Sequence, residues 1–177
     1  MKTFALLALL LTCAAPAAFA RPEITGVSWQ FSPGLKPAMK PKFSDVQQIA
    51  LPADTKLTGR LRAVAVLENK SSKSSGGIVL RVAVSARIVK TGAEAASGVW
   101  SVPFWLDERR VAELKTGGKK NVVIPNIELQ NYLKRFSNTG FWVDALKIQL
   151  AVEPRAGEDL PSPISEAALT VVPAAAP

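Results

Sequence analysis

The chain has 177 residues, with 22 lysines and arginines against 14 acidic residues, a formal charge of +8, one cysteine and no histidine. Without imidazole or paired thiols it can build neither Ser-His-Asp triads nor Cys-His dyads nor the usual zinc sites, and no cofactor is implied. A basic balance of this size suits anionic partners or keeps the protein soluble.

Residues 1–20 read as a cleaved leader. Lys2 opens them, an apolar run covers 4–11, and Ala18-Phe19-Ala20 fits an A-x-A cleavage site, so that Arg21 would begin the mature chain. The run is interrupted by Thr12 and Pro16, which leaves it short of the roughly 20 apolar residues that span a bilayer. Cys13 follows Thr12, whereas lipid-modified cysteines usually follow Gly, Ala or Ser, so a released protein is expected. The expectation is therefore bacterial Sec-type export to the periplasm or beyond, for a protein that is not integral to a membrane. That compartment argues against nucleic acid as a partner. The rest of the chain is long enough to bury roughly 70% of its unfolded surface, so a single domain over 21–172 with a frayed tail at 173–177 is expected.

Strands are predicted along the chain in order. Residues 25–31 align Val27, Trp29 and Phe31. Residues 32–56 contain Pro33, Pro37, Pro41 and Pro52 and read as a long connection, with one helical turn started by the capping pattern Ser44-x-x-Gln47. Residues 57–68 place Leu57, Leu61, Ala63, Ala65 and Leu67 on one face and Arg60, Arg62 and Glu68 on the other. A polar loop over 69–77 leads to 78–90, where Ile78, Leu80, Val82, Val84, Ala86 and Ile88 alternate with Arg81, Ser85 and Arg87. Residues 99–106 align Trp100, Val102, Phe104 and Leu106 as a core face, and Pro103 makes this an edge strand. Residues 109–114 and 121–124 flank 115–120 as a hairpin. Leu129, Tyr132, Leu133 and Phe136 predict a helix over 127–136 capped by Asn126. A last pair of strands covers 145–153 and 167–172, joined by the Pro-rich stretch 154–163. The whole is an all-β chain, an immunoglobulin-like antiparallel sandwich of seven to nine strands with one short helix.

One stretch adds a resemblance. Val64-x-Val66-Leu67-Glu68-Asn69-Lys70-Ser71, a small-residue loop, a second alternating strand and Leu114-x-x-Gly117 turning into Val122-Val123-Ile124 resemble the Ig-like adhesion and accessory modules of bacterial surface proteins, the CARDB type, over 57–153. The helix at 127–136 and the connection at 32–56 depart from that pattern. The resemblance implies a structural or binding role and a connection from 57–68 to 78–90 that crosses between sheets.

The candidate site residues follow from this layout. If 57–68 and 78–90 pair as a hairpin, Arg60, Arg62, Arg81 and Arg87 form one outward patch for polyanions; if the connection crosses, the two pairs separate. Lys36, Lys40, Lys42, Lys115, Lys119 and Lys120 add further charge, and scattered solubilising charge is the alternative for them all. Trp29 and Trp100 align with core residues, which leaves Trp105 and Trp142 as candidates for an exposed, sugar-stacking surface. Asp107, Glu108 and Asp144 are the acids available to a carboxylate-dependent hydrolase, which needs two of them about 5 to 9.5 Å apart; salt bridging is the alternative for each. The Lys-Thr-Gly triplets at 90–92 and 115–117 have no S-x-x-K partner and read as turns. Asn69-Lys70-Ser71 spells a glycosylation sequon, which has meaning only in a eukaryotic secretory pathway. The expected function is an exported, non-enzymatic module that offers a strand edge, such as 99–106, to another envelope or secreted protein. A module for anionic or glycan envelope polymers is the first alternative and a hydrolase the second.

Overall fold

Among the described residues ten strands sort into two facing sheets, with period-two alternation of buried and exposed side chains clearest in the long ones. The computed structural model describes residues 21–34, 40–51, 57, 59–125, 127–136, 138–154 and 163–173. The expected leader, Lys36, the expected cap Asn126, most of the Pro-rich stretch 154–163 and the tail beyond Pro173 lie outside the described residues. Pro173 itself ends a strand.

In the first sheet β1 (Glu23–Pro33) lies between β2 (Ser44–Val46) and β4 (Gly59–Glu68), and β8 (Lys119–Ile124) pairs the far side of β4, all antiparallel. The second sheet runs β3 (Gln48–Leu51), β10 (Ser165–Pro173), β9 (Phe141–Val152) and β5 (Ser75–Lys90). Its last edge is shared by β6 (Val99–Trp100) and β7 (Trp105–Leu114), which pair with successive stretches of β5. The expected all-β sandwich is therefore present. Among the described residues it has ten strands rather than seven to nine, because the connection at 32–56 contains two, while the expected strands 99–106 and 109–114 are redivided into β6 and β7.

The helical turn expected at Ser44 is a strand. Ile49 and Leu51 are buried while Gln48 and Ala50 are exposed, a period of two that overrides the local capping signal. At Gln47 the chain passes from one sheet to the other: Val46 pairs with Trp29 of β1, whereas Gln48 pairs with Thr170 of β10 in parallel. The hairpin expected at 115–120 is also a crossing, since β7 pairs with β5 and β8 with β4. The polar loop at 69–77 crosses between sheets as well, and the hairpin arrangement of 57–68 with 78–90 does not occur.

Leu61, Ala63, Ala65 and Leu67 of β4 face Ile78, Leu80, Val82, Val84 and Ala86 of β5 within one buried cluster that also holds Leu146, Ile148, Leu150 and Leu169. Each such leucine or isoleucine contributes about 1.5–3 kcal/mol by leaving water. Trp29 belongs to the same cluster, and its indole N–H donates to the Ala167 carbonyl at 3.1 Å, tying the first sheet to the second. Past Arg87 the register of β5 shifts, so Val89 rather than Ile88 is the buried residue there. The predicted helix appears as α1 (Leu129–Leu133) followed by a 3-10 turn (Lys134–Phe136). Leu129 and Leu133 enter the core, and Tyr132 stacks on Phe104 at 4.1 Å.

Candidate functional site

The edge formed by β6 and β7 has the opposite face inward from the one expected. Trp105 and Val111 pair with the buried Val84 and Ile78, so the odd-numbered residues turn to the core. Trp100, Val102 and Leu106 turn out and are 38%, 83% and 70% exposed, and neighbouring Val99 is 70% exposed. Both faces of this stretch are apolar, which is why alternation alone points the wrong way. Trp100 is thus the exposed tryptophan, whereas Trp105 and Trp142 are half-buried and pack against the core. Trp29 is buried, as expected.

Between β6 and β7 the edge bulges. Ser101 N–H donates to the Ala86 carbonyl at 2.8 Å and Phe104 N–H to the Val84 carbonyl at 2.9 Å, so Val102 and Pro103 stand outside the ladder. Extra residues of this kind bend an edge strand and end its regular pairing. The bulge also turns Phe104 onto Tyr132 of α1. Along β7 the inward-facing Asp107 and Arg109 form an ion pair, and inward-pointing charges protect an edge from added strands. The stretch from Val99 to Val102 has no such protection.

Trp100 lies opposite Arg87 of β5. Its ring is 5.8 Å from the Arg87 guanidinium and 4.8 Å from Lys147 Nζ. Arg87 is fixed by Asp144, which is 4% exposed and accepts from Nε at 2.9 and 3.1 Å and from Nη2 at 2.7 Å. Those hydrogen bonds raise the Arg87 pKa above its ordinary value against the opposing effect of burial. Ser85 and Ala145 point outward by register and are nevertheless buried; Trp100, Arg87 and Lys147 are the large side chains around them. Further along the same face, Arg81 bonds Glu153 and Glu108, and Glu108 also accepts from Arg110 at 2.7 Å. Beside this second group lies a groove of about 590 Å³ lined by Arg81, Ala83, Leu106, Gln149, Ala151 and Ile164.

The four candidate arginines do not make one patch. Arg60 and Arg62 sit on β4 in the first sheet, where Arg62 donates to Gln30 at 2.8 Å and stacks over Phe43 at 3.7 Å. Arg81 and Arg87 sit on β5 in the second sheet, each joined to its own acids. The lysines are dispersed: Lys40, Lys42, Lys115 and Lys120 are exposed, and Lys119 pairs with Glu68 at 3.4 Å. Asp107, Glu108 and Asp144 are each held in an ion pair, which fits the salt-bridging alternative. Asn69 is buried with its amide donating to three carbonyls, so its place in the sequon spelling is structural. No helix among the described residues is long and apolar enough to cross a membrane.

Sequence reasoning found the edge through Pro103 but missed Trp100 and Lys147. Only the strand order, which brings β6, β5 and β9 side by side, joins those two residues. No family model matches the chain, and no curated protein matches it.

Proposed function

We propose that the chain is an exported, non-enzymatic interaction module that docks an extended segment of another envelope or secreted protein along β6 and the adjoining bulge. One observation carries this reading: Val99, Trp100, Val102 and Leu106, all exposed, fall on a single edge segment of the second sheet. An exposed apolar edge is a template for strand addition, in which main-chain hydrogen bonds supply affinity and side-chain pockets supply choice. The leader-like residues 1–20 and the resemblance to Ig-like accessory modules support the compartment and the role. The ion pairing of Asp107, Glu108 and Asp144 supports a non-catalytic role for them.

The test is a photo-crosslinking amino acid placed at Val102, with Val123 on the exposed edge of the first sheet as the control position. Illumination in envelope extract of the source cell should give a discrete adduct from position 102 that Val99→Lys suppresses. Equal labelling from both positions, or none from 102, overturns the reading.

A further inference from the structure

We infer that the outer face of the second sheet around Trp100 is a binding platform for a neutral oligosaccharide. Trp100 offers an aromatic surface that is more than one third exposed, on a sheet face where the small residues Ser85 and Ala145 are already covered. The polar groups beside it form a continuous row. Lys147 Nζ stands 4.8 Å from the ring and 4.0 Å from Glu166 Oε1, and Glu166 in turn accepts from the Gln149 amide. Gln149 lines the groove with Ala83 and Ala151. Donors and acceptors thus alternate outward from an aromatic ring, which is the chemistry that hydroxyl-rich, flat-faced rings require: C–H faces against the ring and hydroxyls against both polar types.

Charge decides between a neutral and an anionic ligand. Arg87 is neutralised by Asp144, Lys147 faces Glu166, and Arg81 is shared by Glu108 and Glu153. These three cations around the ring and the groove are thus each met by an acid, which favours a neutral ligand over a polyanion despite the positive charge of the chain as a whole. Size decides between one sugar and several. Arg87, opposite Trp100, and Ala83, at the groove, are four residues apart on β5, about 13 Å at strand rise, which is longer than one ring. The inference shares Trp100 and Leu106 with the edge reading but is separable from it, because the platform uses side chains on the sheet face whereas strand docking also needs the backbone of β6.

The experiment is a titration of the chain without residues 1–20, labelled with nitrogen-15, against cellohexaose and chitohexaose, following the indole N–H resonance of Trp100. Poly-glutamate and high salt serve as the charge controls. The resonance should move saturably with at least one oligosaccharide, equally at low and high salt. Trp100→Leu, which keeps an apolar side chain opposite Arg87, and Lys147→Ala should each weaken binding about tenfold, equivalent to about 1.4 kcal/mol. Val99→Lys should leave sugar binding unchanged while suppressing crosslinking from position 102, so that failure of one reading is separable from failure of the other. Response to neither oligosaccharide, response to poly-glutamate alone, or binding that Trp100→Leu and Lys147→Ala leave intact overturns the inference.

Discussion

Asn69 is fully buried, and its side chain uses both of its polar ends. The amide donates to the carbonyls of Lys73, Leu114 and Lys115 at 2.8, 3.0 and 3.3 Å, and the oxygen accepts from the backbone and hydroxyl of Ser71 at 3.1 and 2.7 Å. Its own backbone bonds Gly118 and Gly117 across the sandwich. Gly117 sits at φ 64°, a conformation that glycine adopts without strain. One asparagine therefore pins the turn at 115–118, which carries the chain from β7 to β8, against the loop that carries it from β4 to β5. Removing the side chain takes a donor from all three carbonyls, of which Lys73 keeps the Ser71 hydroxyl and Lys115 the Gly118 N–H while the buried bond to Leu114 is lost, at roughly 1–3 kcal/mol for each group left unsatisfied. Asn69→Ala should lower stability by about 3 kcal/mol, seen as a lower midpoint in urea with an unchanged slope. Asn69→Asp, which keeps the shape but loses the donors, should fare no better; an Asn69→Ala protein as stable as the parent would show that the two crossings hold without it.

At the scale of elements, the split edge and α1 depend on each other. The bulge between β6 and β7 turns the Phe104 ring onto Tyr132, which also meets Phe136 edge-on at 5.2 Å. Stacked aromatic pairs are worth about 0.5–1.5 kcal/mol beyond the area they bury. A double-mutant cycle on Phe104→Ala and Tyr132→Ala should return a coupling in that range, and Phe104→Ala should speed amide exchange in Leu129–Leu133. Additive effects with unchanged exchange would mean that the helix is held by Leu129 and Leu133 alone. The same elements show how far the sequence could be read. β4 and β5 were legible because arginines mark one face of each and aliphatic residues the other. β6 and β7 were legible as an edge through Pro103 but not in their facing, because Trp100 and Trp105 make both faces apolar and the charges from Asp107 to Arg110 do not alternate. The strands at Ser44–Val46 and Gln48–Leu51 were hidden by a capping pattern that is local, whereas the partners that make them strands, β1 and β10, are remote in sequence. The arginine patch depended on whether 69–77 turns back or crosses, which is a property of packing. The candidate platform was invisible for the same reason: Trp100 and Lys147 are neighbours only through β5.

For the whole molecule, the missing histidine fixes how stability depends on pH. Apart from the terminal amine, no side chain of ordinary pKa changes charge between about pH 5.5 and 8, so a broad plateau is expected, and two groups mark its ends. The hydrogen bond from Arg110, aided by the charges of Arg110 and Arg81, holds the Glu108 carboxyl below its usual 4.5. A depressed folded value means that the folded state binds its proton less readily than the unfolded chain. The stabilisation from Glu108 is therefore complete above 4.5 and lost as pH falls through the folded value. At the other end, the hydrogen bond from Lys70 to Glu23 raises the lysine above 10.5; its contribution is complete below 10.5 and lost as pH rises through the folded value. The melting midpoint should thus stay level from about pH 6 to pH 8.5 and fall on the acid side. Glu108→Gln isolates the acid limb: it should lower the plateau, and its gap from the parent should begin to narrow as pH falls below 4.5, because the parent loses its Glu108 contribution as the carboxyl takes up its proton. A gap between the two proteins that does not narrow at any acid pH would mean that Glu108 acts through packing rather than through its charge, and a midpoint that moves between about pH 6 and 8 would mean that a group other than these sets the balance.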